Sequence, residues 1–218
     1  MAFEVKTFEN PGSKKLLVQM VDDHDLELIE KEVSYIRELT GGNDFCLKTV
    51  RVKSWNHDLS PWPAPAVFGS DNFGDGAAET LAWLLREVVV ESPTETEPDR
   101  RVFLGGYSLA GLFALWAGYQ TDRFDGIAAA SPSIWFPEFD DYMNSHPIQT
   151  GAVYLSLGDR EEKTRNPVMS AVGERIRKAH ELLSGQGVPC VLEWNKGNHF
   201  KDADLRTAKA FAWVMRNC

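Results

Sequence analysis

The sequence has no long hydrophobic run, no excess of positive charge and few cysteines. A membrane-crossing helix needs about 20 mostly apolar residues, and no stretch approaches that. The formal net charge is −9 and the sequence pI is about 5.1. A phosphate backbone would be repelled by such a chain, which argues against nucleic acid as a partner. The three cysteines, Cys46, Cys190 and Cys218, are odd in number and widely spaced. They match neither a disulfide framework nor a zinc site and read as buried or idle thiols. Residues 1–16 mix acids, lysines and a Pro-Gly pair and lack the apolar core of a signal peptide. Together these absences predict a soluble, reduced, cytoplasmic protein without a membrane partner.

What is present is an ordinary globular composition. The 218 residues are 43% hydrophobic and 25% charged, which fits one domain over 1–218. Seven Trp and twelve Phe supply apolar surface for a core and for an aromatic pocket. A homodimer is compatible with this composition. Residues 91–101 are polar and of mixed charge and read as a surface loop.

Strand and helix patterns alternate along the chain. Residues 16–21 (LLVQMV) form a short apolar run, followed by a helical periodicity over 26–39 that Asp23 to Asp25 can cap and Gly41-Gly42 stops. Residues 45–52 read as a strand. A loop rich in Trp, Pro, Gly and Asn spans 54–75, too long for a plain connection and therefore a functional candidate. A helix is expected over 76–90, a strand over 101–105 and a helix, apolar nearly all round, over 109–119. Further strands are expected at 126–130, 152–157 and 189–194. A helix opened by Asn166-Pro167 is expected to run to about 183, and a last helix covers 203–215. This alternation predicts an α/β protein with a mostly parallel central sheet and helices on both faces.

The strongest local signal is Gly106-Tyr107-Ser108-Leu109-Ala110-Gly111, between the strand at 101–105 and the buried helix. It reads G-x-S-x-A, close to the G-x-S-x-G nucleophile elbow of the α/β-hydrolase fold. A serine on a tight strand-to-helix turn needs small neighbours two residues either side, and Gly106 and Ala110 supply them. A Gly-rich turn with a capping serine is the simpler reading, but the strand, turn and buried helix in register favour the elbow. There Ser108 is the nucleophile, and the Leu109 N–H at the helix start is the first oxyanion donor.

A serine hydroxyl needs a base. In this fold the order is serine, acid, histidine. Of five histidines, His24 and His57 precede the serine, His180 lies among charged helical residues and His146 in a polar loop. His199, after the strand 189–194, is the expected general base. The acid should follow the strand 152–157, where Asp159, Glu161 and Glu162 compete. Glu161 is chosen, with Asp159 and Glu162 open. The second oxyanion donor is expected after the strand 45–52, at Trp55 or Asn56. His57-Asp58 has no accompanying HExxH or CxxC and reads as structural. Tyr107, Trp135 and Trp62 are the expected pocket residues, with Phe73 and Trp55 as further aromatic candidates that core packing explains equally well. No metal and no cofactor is called for.

With these motifs in place, the sequence resembles the putative esterase family of α/β hydrolases that includes esterase D-like and enterochelin-esterase-like proteins. The matching segments are NHDLSPWPAPAVFGSDNF at 56–73, GGYSLAGLFALWA at 105–117, SPSIW at 131–135, GDREE at 158–162 and GNHF at 197–200. The resemblance implies a carboxylesterase with a triad on Ser108, His199 and an acid within 158–162, acting on a small-molecule ester through an acyl-enzyme. A His-Gly-Gly oxyanion motif is missing, and the chain offers few residues for a lid. Acyl transfer to another acceptor and ligand binding without catalysis are the rival readings.

Overall fold

The computed structural model describes residues 3–67, 69–89 and 100–218. Most of the polar loop expected at 91–101, the end of the helix expected at 76–90, Phe68 of the long loop and residues 1 and 2 lie outside the described residues.

Among the described residues seven strands form one sheet: β1 (Glu4–Glu9), β2 (Lys15–Val21), β3 (Cys46–Arg51), β4 (Arg101–Tyr107), β5 (Gly126–Ala130), β6 (Ala152–Gly158) and β7 (Cys190–Asn195), in the order β1-β3-β2-β4-β5-β6-β7. All neighbours pair in parallel except β1 with β3. The helices are α1 (Asp23–Thr40), α2 (Trp55–Asp58), α3 (Ala77–Leu84), α4 (Leu109–Gln120), α5 (Phe139–Ser145), α6 (Pro167–Ser170), α7 (Val172–Gly185) and α8 (Ala203–Asn217).

The two faces follow from the period-2 alternation of a strand. Leu17, Phe103, Ala128 and Tyr154 point to the face covered by α1 and α8. Leu16, Val18, Leu104, Ile127 and Leu155 point to the opposite face, in one cluster with α3, α4 and α7. Burial on both faces explains why the central strands read as unbroken apolar runs. Helix α4 runs directly after β4 and is buried from Leu109 through Tyr119.

Several expectations shift. The cap of α1 is Asp22, in a reciprocal capping box with Asp25, rather than a residue of 23–25. Strand β1 escapes sequence reading because its EVKTFE pattern is mostly exposed; charged side chains suit it to a sheet edge. The helix expected over 166–183 is two helices. Asn166 caps α6 as expected, but the chain bends at Ala171. Gly173 follows, where a Cβ would lie 1.7 Å from Glu162 Oε2. Helix α3 passes into a π-helical turn, Leu85–Val89. Among the described residues no helix is long and apolar enough to cross a membrane.

Candidate active site

Because β2 to β7 are parallel, their C-terminal ends share one edge of the sheet. The chain diverges from β2, with β3 on one side and β4 on the other, the kind of switch point where open α/β sheets bind ligands. Ser108 follows β4, Ser131 follows β5, Glu161 follows β6 and His199 follows β7.

Ser108 has φ 57° and ψ −120°, a positive-φ conformation outside the allowed basins that a non-glycine residue adopts only under constraint. The constraints are its N–H bond to Ala130 O (3.1 Å), the Ser133 N–H bond to Ser108 O (3.0 Å) and the start of α4. A Cβ on Gly106 would come within 2.6 Å of the Ala110 Cβ. Glycine at 106 and a small residue at 110 are therefore steric requirements of this turn. Leu109 is the first residue of α4, so its N–H is one of the four without an acceptor inside the helix.

The Ser108 Oγ lies 3.0 Å from His199 Nε2, and His199 Nδ1 lies 2.6 Å from Glu161 Oε2. The side chains of His199 and Glu161 are 23% and 4% exposed. The other Glu161 oxygen, Oε1, accepts from the Gly158 N–H (2.7 Å), the Ser131 hydroxyl (2.9 Å) and Arg206 Nη1 (2.9 Å). Burial alone would raise the Glu161 carboxyl. The hydrogen bond and charge of His199, with the Gly158 N–H and the Ser131 hydroxyl, outweigh burial and hold it below the usual range.

The two rival acids face elsewhere. Asp159 accepts from the Gly197 N–H at 2.8 Å, which lowers its pKa, and is exposed. Glu162 turns toward Arg177 of α7, 3.4 Å away.

Of the expected pocket residues, Trp135 borders a notch of about 30 Å³ beside the histidine. His199 and Glu161 flank that notch, and Pro132, Trp135, Met169 and Val172 make its apolar wall. Tyr107 stands elsewhere. It is buried in the cluster on the α8 face, its ring 5.2 Å from the His199 ring. Its hydroxyl donates to His199 O at 2.7 Å. Burial, then the Glu161 charge, pushes its pKa up to about 12, so it remains a neutral donor. Trp62 is also placed elsewhere. Its indole N–H binds Pro137 O (3.0 Å), and it packs on Phe136, Phe139 and Tyr142 at the edge of a separate 430 Å³ cleft.

Trp55 and Asn56 open α2, where Ser54 makes no side-chain capping bond. The Asn56 amide donates to Asp71 O (3.1 Å), and Asn56 O accepts from the Gly74 N–H (2.9 Å). Trp55 borders a 380 Å³ cleft with Glu4, Asp22, Asp23, Arg51 and Lys53. His57 Nδ1 meets Asp58 Oδ1 at 3.2 Å, while Asp58 Oδ2 accepts the N–H groups of Lys53 and Ser54, which is the structural role read from the sequence.

Three further residues neighbour Ser108, His199 and Glu161: Ser133 lies in the SPSIW segment and Phe200 in the GNHF segment that the sequence already singles out, whereas Arg206 is not singled out there. Ser133, 2% exposed, has its Oγ 3.2 Å from Ser108 Oγ. Phe200, next to His199, is 89% exposed. Arg206 of α8 is 1% exposed. The signal for Arg206 was present: it shares the helical face of Ala210 and Val214, where a charge is out of place.

No protein-family model matches the chain, and no curated protein matches it significantly. Solved structures do. An IroE-like serine hydrolase from Shewanella oneidensis superposes with a TM-score of 0.79 at 13% identity, over 98% of this chain and 76% of its own. The siderophore hydrolase EstA from Aspergillus nidulans gives 0.67 at 18%, over 94% and 83%. The enterobactin esterase FES from Shigella flexneri, in the presence of 2,3-dihydroxy-N-benzoyl-glycine, gives 0.68 at 14%, over 98% of this chain and 55% of the esterase. The chain thus spans about half the length of that last enzyme. At these identities the likeness is one of fold, and the fold is that of the α/β hydrolases.

Proposed function

We propose that the chain is a serine carboxylesterase that hydrolyses a small ester through an acyl-enzyme on Ser108. The observation that carries this is the continuous hydrogen-bonded line Ser108 Oγ, His199, Glu161, at 3.0 and 2.6 Å. It sits on a strained elbow at a helix start. The names of the structural neighbours, among them a siderophore hydrolase and an enterobactin esterase, support ester chemistry.

In the first step Ser108 Oγ bonds to the ester carbonyl carbon while its proton passes to His199 Nε2. The carbonyl oxygen becomes an oxyanion, held by the Leu109 N–H and by an N–H of Trp55 or Asn56. Glu161 keeps Nδ1 protonated and stabilises the imidazolium. Collapse breaks the carbonyl–alkoxy bond, and the imidazolium protonates the departing alcohol. Water then attacks the acyl-enzyme, giving its proton to His199, and the carboxylic acid leaves as Ser108 regains a proton.

The notch of about 30 Å³ beside His199 holds little more than one or two waters. It favours a compact group over a catechol ring at that point. The three free thiols suit a reducing, cytoplasmic setting.

The test is mass spectrometry after treatment with a fluorophosphonate probe, run beside hydrolysis of short-chain p-nitrophenyl esters by wild type and Ser108→Ala. An adduct on Ser108 with activity lost in the variant is expected. No adduct and no turnover by wild type would overturn the esterase reading in favour of ligand binding. Ester exchange that outruns hydrolysis when an alcohol or thiol is added would instead identify an acyltransferase.

A further inference from the structure

The geometry points to Arg206 as a positioning residue for the reaction proposed above, a buried cation that selects which oxygen of Glu161 faces His199 and holds the histidine loop in place. This inference rests on the esterase reading and adds a residue to it.

The buried side of helix α8 is mostly apolar, with Ala208, Ala210, Phe211 and Val214 against the sheet, and Asp204 and Thr207 also buried. Arg206 projects from its first turn and is among the largest fully buried side chains. Its Nη1 reaches Glu161 Oε1 (2.9 Å), Tyr107 OH (3.0 Å) and Ser131 Oγ (3.3 Å), and its Nη2 reaches Asn198 O (3.0 Å). Tyr107 passes the contact on, donating to His199 O at 2.7 Å. One guanidinium from the last helix therefore ties the end of β4, the loop after β5, the acid loop and the histidine loop together.

The close approach is built into the backbone. A Cβ on Gly158 would lie 2.5 Å from Gly197 O, 2.9 Å from Glu161 Oε1 and 3.1 Å from Arg206 Nη1. The acid and histidine loops thus meet around the cation at a position only glycine fills. Glu161 Oε1 is occupied by Arg206, Ser131 and the Gly158 N–H, which leaves Oε2 for His199 Nδ1. Stability alone is a poor reason for such a group. A buried ion pair is often matched by apolar residues of similar volume, and the Arg206 Nε is buried without a partner among the described residues. What the guanidinium supplies is orientation, a planar fork with several donors fixed relative to one another.

The experiment measures kcat, KM and the pH profile of kcat/KM, on a short ester turned over by wild type, for Arg206→Met and Arg206→Lys. Denaturant unfolding of each variant is run alongside. Arg206→Met should lower kcat about 10- to 100-fold through misplacement of the triad, with KM held within about twofold. The acid limb of its profile should move to higher pH, because the proton taken up by the His199–Glu161 pair meets one fewer positive charge. The groups facing that pair are Arg206 from α8, Tyr107 from β4, Ser131 after β5 and Ser108 at the elbow. Arg206→Lys should keep the limb near its wild-type position but not the rate, since an ammonium cannot span Glu161 and Asn198 O together. Both variants at wild-type kcat with unshifted limbs would overturn the proposal, as would losses that merely track the unfolded fraction. If Arg206→Met does not fold, Arg206→Lys decides alone, and wild-type kcat there overturns it. Wild type without turnover or a Ser108 adduct would overturn the esterase reading itself, and this inference with it.

Discussion

Glu161 Oε2 lies 2.6 Å from His199 Nδ1, although 38 residues of chain separate the two and a second carboxylate, Asp159, stands in the same loop. The pairing orients the imidazole so that Nε2 faces Ser108, and the hydrogen bonds around Glu161 keep it ionised despite burial.

The acid assignment predicts a large asymmetry between neighbours. Glu161→Gln keeps the shape but favours the wrong imidazole tautomer, and should lower kcat by about 10⁴-fold. Asp159→Asn, which alters a bond to the Gly197 N–H, should cost less than about tenfold. Steady-state hydrolysis of one short ester measures both, and a larger loss in Asp159→Asn would move the acid to that position.

Backbone strain at Ser108 predicts a trade between stability and activity. Its φ of 57° suits glycine, so Ser108→Gly should resist urea more than Ser108→Ala, by about 1 kcal/mol, with both inactive. Gly106→Ala, whose new Cβ meets Ala110 at 2.6 Å, should destabilise by about 1–3 kcal/mol. Equal midpoints for the two serine variants would argue against strain at the elbow.

A second buried acid predicts a pH dependence unrelated to the site. Glu32 in α1 is fully buried, with one oxygen accepting from Gln19 Nε2 at 3.2 Å. Its other oxygen, Oε1, and the side-chain oxygen Oε1 of Gln19 have no hydrogen-bond partner among the described residues. Burial, then the charges of Asp25 and Asp204, raise its pKa well above the usual range, against the Gln19 hydrogen bond. The contribution is therefore full below the ordinary glutamate pKa. It is lost as pH rises toward the folded value, because only the unfolded chain releases the proton. Glu32→Gln removes that slope. Its urea midpoint should rise relative to wild type between pH 5 and pH 8, whereas parallel curves would place the charge of Glu32 elsewhere.

Phe200 carries a prediction about substrate. Its ring stands edge-on to His199 at 5.6 Å and is 89% exposed, beside the imidazole proposed to protonate the leaving alcohol. Phe200→Ala should leave stability within about 0.5 kcal/mol. It should raise KM for esters of bulky apolar alcohols about 2- to 10-fold and leave methyl esters unaffected. A uniform KM across the series would remove Phe200 from the site.

The amino-acid sequence by itself determined whatever depends on neighbours a few residues away. The elbow at 106–110 is written in local sterics, the central strands in apolar runs that only a doubly covered parallel sheet accommodates, and the start of α6 in Asn166-Pro167. The sequence also narrowed the expected base to His199 and the expected acid to three carboxylates in one loop. Tertiary structure decided the rest, because those choices rest on contacts between distant segments. Glu161 rather than Asp159 faces His199 because β6 and β7 are adjacent and the two loops close at Gly158 and Gly197. Tyr107 lies under the histidine because its side chain falls on the α8 face of the sheet. Trp62 packs on α5, a helix whose seven residues hold too short a pattern to read. Arg206 meets Glu161 across 45 residues, a contact that no local periodicity encodes.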